Sequence, residues 1–144
     1  MKSWLIALIL MSPLVISEEL ISLDEFFSSE KASSMNSAEL TIYSLEKCSA
    51  VTFFSIGGDN PEIEDVGDIF LMTALAYRID LEPEINDAVH MDNNLKTVQK
   101  YFKEYEYYYS DYAIAKSDEF FPDLMKSDLK FCVGVFEIIN GEEE

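Results

Sequence analysis

The chain has 144 residues, a hydrophobic fraction of 49% and a formal net charge of −18. The length fits a single domain with room for a core, and the hydrophobic fraction argues against a disordered chain. So strong a negative charge argues against nucleic acid and anionic membranes as partners, because both require clustered Lys and Arg; it favours a basic partner, cations or solubility alone.

The first 17 residues have the pattern of a secretory signal peptide. Lys2 precedes an uncharged, mostly apolar stretch from Trp4 to Ile16, and Val15 and Ser17 suit positions −3 and −1 of a cleavage site. The stretch falls short of the ~20 apolar residues of a spanning helix. We therefore expect residues 1–17 to be removed and the protein to be exported, to a periplasm or the extracellular medium, without a stable membrane anchor. The alternative is an uncleaved N-terminal anchor.

Residues 18–36 are rich in Ser and Glu and are expected to form an N-terminal arm or linker, with at most one short amphipathic turn. A first helix should begin near Asn36, because Asn36 and Glu39 have the spacing of a capping box. Gly57 and Gly58 should end it. Phe53 is off the main apolar face, which indicates that neighbours cover this helix on more than one side.

A second helix is predicted from Pro61 to about Pro83, because proline favours the first position of a helix and acidic residues follow it. Ile63 and Tyr77 are assigned to its core face. The third helix is predicted over roughly 84–115, with apolar residues alternately three and four positions apart. Those predicted seam residues are Leu95, Val98, Phe102, Tyr105, Tyr109 and Tyr112.

A fourth helix is predicted from near Pro122 to about Ile139, where apolar residues again repeat every three or four positions. Residues 142–144 form an acidic tail. No segment alternates with a period of two, so the prediction is an all-α fold. The domain over 37–141 is expected to be an up-down four-helix bundle.

Cys48 and Cys132 are the only cysteines. An even pair in an exported protein favours a disulfide, whereas their wide spacing does not suit a zinc site. In an up-down bundle the first and last helices are antiparallel neighbours, and both cysteines lie past the middle of their helices. The sequence therefore predicts a disulfide that joins these two helices.

No catalytic motif, cofactor motif or metal site emerges from the sequence. His90 is the single histidine, with Asp87 three residues before it and Asn94 four after. A di-iron bundle needs two Glu-x-x-His elements and this chain has none, so His90 is interpreted as a surface residue. The acidic stretch 59–68 lacks the order of a calcium loop, and helix capping explains it better.

Six tyrosines fall within residues 101–112. Three of them belong to the predicted seam, whereas Tyr101, Tyr107 and Tyr108 point away from it. Exposed tyrosines beside carboxylates such as Glu104 suit a binding surface for a protein partner. The alternative is that these rings cover the flank of the bundle or the arm.

These observations favour a non-enzymatic binding protein that recognises a basic protein partner, as an inhibitor, an immunity protein or a small chaperone would. The alternative function is a small-ligand or metal-binding helical bundle in the periplasm.

Overall fold

The computed structural model describes residues 20–56, 61–115 and 122–141, and within these ranges it contains helices and no strands. The predicted signal peptide, the glycines after the first long helix and the acidic tail lie outside the described residues. The helices are α1 Leu23–Phe27, α2 Glu30–Ser33, α3 Ser37–Ile56, α4 Pro61–Leu81, α5 Asp87–Ala115 and α6 Asp123–Gly141. The all-α prediction is confirmed, and the four predicted helices correspond to α3, α4, α5 and α6.

The start of α3 is the predicted capping box. The backbone N–H of Glu39 donates to Asn36 Oδ1 and the backbone N–H of Asn36 donates to Glu39 Oε2, each at 2.9 Å. Two backbone donors that a helix start leaves without intrahelical partners are thereby satisfied. α5 begins at Asp87, slightly later than predicted, and the side chain of Asn86 accepts from the N–H of Ala88.

The N-terminal arm is packed against the helices. Leu23 and Phe26 of α1 are buried, α1 contacts α6, and the Phe26 ring stacks on that of Tyr43 in α3 with centroids 4.0 Å apart. The arm contains two short helices instead of the single predicted turn, because Ser22 and Ser29 each cap one of them by accepting a backbone N–H.

The centre of the molecule is α3, which contacts α4, α5 and α6. Every residue from Ser44 to Thr52 is buried, so this stretch is enclosed on all sides, as the position of Phe53 indicated. Three consecutive residues face three different neighbours: Glu46 pairs with Arg78 of α4, Lys47 pairs with Glu104 of α5, and Cys48 is bonded to Cys132 of α6. Successive residues of an α-helix differ by about 100° around its axis, so three of them reach all sides.

The predicted Cys48–Cys132 disulfide is present, with the two Cα atoms 5.4 Å apart. Both cysteines are buried in the core cluster, which holds apolar residues from α1 and from all four long helices. The bond therefore joins α3 to α6 inside the core.

Three predicted core positions and one predicted surface position are wrong. Leu95 is 40% exposed, and Ile63 and Tyr77 are exposed as well. His90, interpreted as a surface residue, is buried. The physical reason is that α5 turns His90 and Asn94 inward, where both side chains bond backbone carbonyl groups, and this rotation places Leu95 on the flank.

Candidate functional site

Lys47 is a buried cation at the centre of a polar cluster. Its side chain is 4% exposed, and its Nζ lies 3.2 Å from Glu104 Oε2. The same ammonium is 4.6 Å from the ring centroid of Tyr101 and 5.1 Å from that of Tyr105, within the range of cation–π attraction. Burial lowers the pKa of Lys47, while Glu104 opposes the change by favouring the charged form.

Asp128 of α6 connects the arm to α5. Its Oδ2 accepts a hydrogen bond of 2.5 Å from the phenol of Tyr105, and its Oδ1 accepts one of 2.6 Å from the backbone N–H of Leu23. Burial raises the pKa of Asp128, while these two hydrogen bonds and the nearby ammonium of Lys47 oppose the rise. Burial also raises the pKa of Tyr105 well above its ordinary value, so the phenol stays protonated and donates.

A cavity of about 250 Å³ lies next to Lys47, between the arm and the α3–α5 pair. We call it the lysine cavity. Its polar lining comprises Ser29, Lys31, Lys47, Lys100, Glu104, Tyr43 and Tyr101, and apolar side chains of the arm complete the wall.

A second buried ion pair lies on the α4 side of α3. Arg78 donates to Glu46 Oε1 from Nε at 2.7 Å and from Nη2 at 2.5 Å, and Glu46 is 2% exposed. Burial raises the pKa of Glu46, and Arg78 opposes the rise by stabilising the carboxylate. Because Arg78 is the single basic residue of α4, all the other charged side chains of this helix are carboxylates.

Six of the exposed residues of α4 form a stripe along the helix, which we call the α4 outer face: Glu62, Asp65, Ile69, Met72, Ala76 and Asp80. They are spaced three or four positions apart, so they lie in one row along the helix. The middle of the row is apolar, with Ile69 36% and Met72 51% exposed, and carboxylates occupy both ends.

The four residues predicted to bind a partner lie in two different environments. Tyr101 and Glu104 line the lysine cavity, where both interact with Lys47. Tyr107 is 66% exposed, and Tyr108 is half-buried. Tyr107 and Tyr108 do not line this cavity, so the four side chains do not form one site there.

Sequence reasoning missed Lys47 and Asp128. Each is a charged residue within an apolar pattern, between Leu45 and Cys48 in the first case and between Met125 and Leu129 in the second. A charge at a core-facing position is a signal for a buried, paired group. The partners could not be identified from it, because Glu104 is 57 residues from Lys47 and Leu23 is 105 residues from Asp128.

Comparisons with known proteins give no relative: no family model, no curated protein and no solved structure matches the chain. In the part of the chain that the structure describes, no three His, Cys, Asp or Glu side chains are grouped as ligands for a metal. Across residues 20–56, 61–115 and 122–141, no helix combines the length and the apolar character needed to cross a membrane.

Proposed function

We propose that this is an exported, non-catalytic binding protein whose α4 outer face binds a basic, amphipathic segment of a protein partner. Inhibitors, immunity proteins and small chaperones act by such binding. The α4 outer face carries the proposal, because it combines exposed apolar side chains with carboxylates and no cation.

The spacing of the α4 outer face suits a helical partner. Rows of residues three and four apart are the rows that pack between neighbouring helices. An amphipathic helix would place its apolar side chains on Ile69 and Met72, and Lys or Arg side chains towards its ends would meet Asp65 and Asp80. Opposite charges at the ends favour fast association and a defined register.

The contact energies set the expected affinity. Ile69 is 36% and Met72 51% exposed, so burial of their exposed parts contributes about 1–3 kcal/mol, and part of this offsets the entropic cost of association. An isolated helical peptide should therefore bind weakly and with strong salt dependence, while the natural partner gains from further contacts around the face.

The α4 outer face is preferred to the tyrosine-rich set predicted from the sequence. Tyr101 and Glu104 are half-buried in the lining of the lysine cavity, so they offer little surface to a protein partner. Tyr107 is exposed, but it lies on α5 and outside the acidic row.

The scaffold in this proposal is an up-down four-helix bundle. Short connections support it, since residues 57–60 join α3 to α4 and residues 82–86 join α4 to α5, and short connections favour antiparallel neighbours. Consecutive helices α3 and α4, and α4 and α5, are in contact as such a bundle requires, and α3 contacts α5 as well. The disulfide is compatible with the proposed export.

The test is photo-crosslinking in the native host, with a crosslinking amino acid at Ala76. We expect capture of a basic protein, reduced at least tenfold in the I69S/M72S variant and weakened by raised salt. The control is V133S, which removes a 57% exposed apolar side chain from α6 and should leave capture unchanged. Capture that is equal in I69S/M72S and the unaltered protein would refute the proposal.

A small-ligand function is the second candidate, and the lysine cavity favours it. The metal-binding part of that alternative has no supporting group among the described residues.

A further inference from the structure

The lysine cavity has a charge opposite to that of the protein around it. Three of the ten basic residues of the chain, Lys31, Lys47 and Lys100, line this one cavity, and Glu104 is the single carboxylate among its lining residues. The net formal charge of the chain is −18. A local excess of cations in such a chain concentrates small anions at the site and excludes cations from it.

Two of the three ammonium groups lie beside one aromatic ring. Lys47 Nζ lies 4.6 Å from the centroid of the Tyr101 ring, and Lys100 Nζ lies 5.9 Å from it. Glu104 lies between the same two cations, 3.2 Å from Lys47 and 3.8 Å from Lys100. Within the lining of the cavity, one carboxylate shared by these two ammonium groups leaves a formal positive charge that the carboxylate of a ligand can neutralise; the buried Asp128 near Lys47 lies outside this lining.

The remaining walls of the cavity are aromatic and aliphatic. The rings of Phe26 and Tyr43 stack at 4.0 Å, the rings of Tyr43 and Tyr101 meet edge to face at 5.7 Å, and Leu20 and Ile21 cover the arm side. The volume of about 250 Å³ corresponds to roughly eight water molecules. This is room for a ligand of modest size with an apolar body.

We propose that the lysine cavity binds a small organic carboxylate with an apolar body, with its carboxylate between Lys47 and Lys100 and its body against Tyr43 and Tyr101. The site is separate from the α4 outer face and does not depend on the function proposed there. Burial of Lys47 supports the assignment, because burial lowers its pKa and an anion in contact would stabilise the charged form.

The ligand chemistry is tested by titration calorimetry and by backbone amide shifts in NMR. The probes are benzoate and octanoate, with benzamide and octanamide as neutral counterparts and inorganic phosphate as an anion without an apolar body. We expect at least one of the two carboxylates to bind, with shifts at residues of α3, α5 and the arm, while both amides and phosphate bind at least tenfold more weakly. Phosphate binding as tight as that of the better carboxylate, or amide binding of equal strength, would overturn the proposal.

The position of the site is tested with a matched pair of lysine variants on α5. Lys100 and Lys96 are one turn apart, their side chains are 69% and 70% exposed, and each lies near an acidic residue, but Lys96 does not line the lysine cavity. K100Q should weaken carboxylate binding by about two- to fivefold, as expected for loss of an exposed charge contact, whereas K96Q should not change it. Equal effects of K100Q and K96Q, or no binding of either carboxylate at millimolar concentration, would refute the proposal.

A third variant addresses the buried cation. K47M keeps an unbranched side chain one atom shorter and removes the charge, and it should weaken carboxylate binding by about tenfold or more, as expected for loss of a buried charged donor. A folded K47M protein that binds the carboxylate with unchanged affinity would contradict the proposal. If K47M does not fold, the comparison of K100Q with K96Q decides.

Discussion

Removal of the Cys48–Cys132 bond should lower the free energy of unfolding by an amount that follows from its position in the chain. The two cysteines are 84 residues apart, so the bond closes a loop of most of the described chain. In the chain-entropy model, a cross-link over a loop of this length raises the free energy of the unfolded state by about 4.5 kcal/mol at 25 °C. Domains of this kind have a total unfolding free energy of about 5–15 kcal/mol, so the bond should account for a large share of it.

The assay is urea unfolding of three samples: the oxidised protein, the same protein after reduction, and the C48A/C132A variant. With a urea slope of about 2 kcal/mol per molar, a loss of 4–4.5 kcal/mol moves the midpoint down by about 2 M. Reduction should produce most of this change, because it opens the cross-link while both sulfur atoms remain in the core. The variant should be lower by about a further 1–2 kcal/mol, because Cys48 and Cys132 are buried and their sulfurs leave unfilled space.

The contradicting result is a reduced protein with the same urea midpoint as the oxidised one. That outcome would mean that the unfolded chain gains little freedom when the bond is opened, for example because α3 and α6 stay associated in it. A large loss in C48A/C132A with none on reduction would assign the stabilisation to packing of the sulfurs alone.

Three further predictions concern buried polar groups and glycines. Tyr105→Phe should lower the unfolding free energy by about 1–3 kcal/mol, because Oδ2 of the buried Asp128 loses its phenol donor. Gly67→Ala should destabilise by about 1–2 kcal/mol, because the new Cβ would lie 2.7 Å from a ring carbon of α3, whereas Gly134→Ala should stabilise by about 1 kcal/mol, since nothing lies within 4 Å. Stability should rise as the pH falls from 7 towards 5, because burial raises the pKa of Glu46 and of Asp128 and the folded state therefore binds these protons more tightly than the unfolded state.

Each of these predictions has a result that would contradict it. Equal stability of Tyr105→Phe and the unaltered protein in urea would show that Asp128 finds another donor. The two glycine variants control for each other, and a stabilised Gly67→Ala would mean that the ring of Phe53 moves aside at little cost. A melting temperature that falls steadily from pH 7 to pH 5 would contradict the direction assigned to the buried carboxyl groups, and Asp128→Asn should flatten the predicted rise.

The four long helices were predictable because their signals are local. The capping box at Asn36, the proline at the start of α4 and the three-four repeat of α6 each depend on residues within one or two turns of each other. The disulfide was predictable for a different reason, since two cysteines permit only one intrachain pairing. The expected export favoured oxidation of the pair, and the expected bundle placed the two cysteines near each other.

The rotation of α5 was not predictable from the same kind of signal. Its apolar pattern assigned Leu95 to the seam, but Asn94 is buried instead and donates to the backbone carbonyl of Leu71 at 2.8 Å. His90 is buried in the same way and donates from Nε2 to the carbonyl of Glu82 at 2.9 Å. A backbone carbonyl is present at every residue, so the sequence contains no distinctive partner that would mark such a bond in advance.

The buried charges of α3 give a physical reason for its single orientation among three neighbours. Apolar packing alone tolerates several rotations of a central helix, since many side chains fit a core of suitable volume. The ion pairs of Glu46 and Lys47 and the bond of Cys48 permit only one rotation. Turning the helix by one residue would aim the carboxylate of Glu46 at the side where Lys47 now meets Glu104, and would leave two charges buried without partners. Such a charge costs several kcal/mol, more than the loss of a typical apolar contact. The same residues link this orientation to the lysine cavity, because the rotation that joins Cys48 to Cys132 also places the ammonium of Lys47 beside Tyr101.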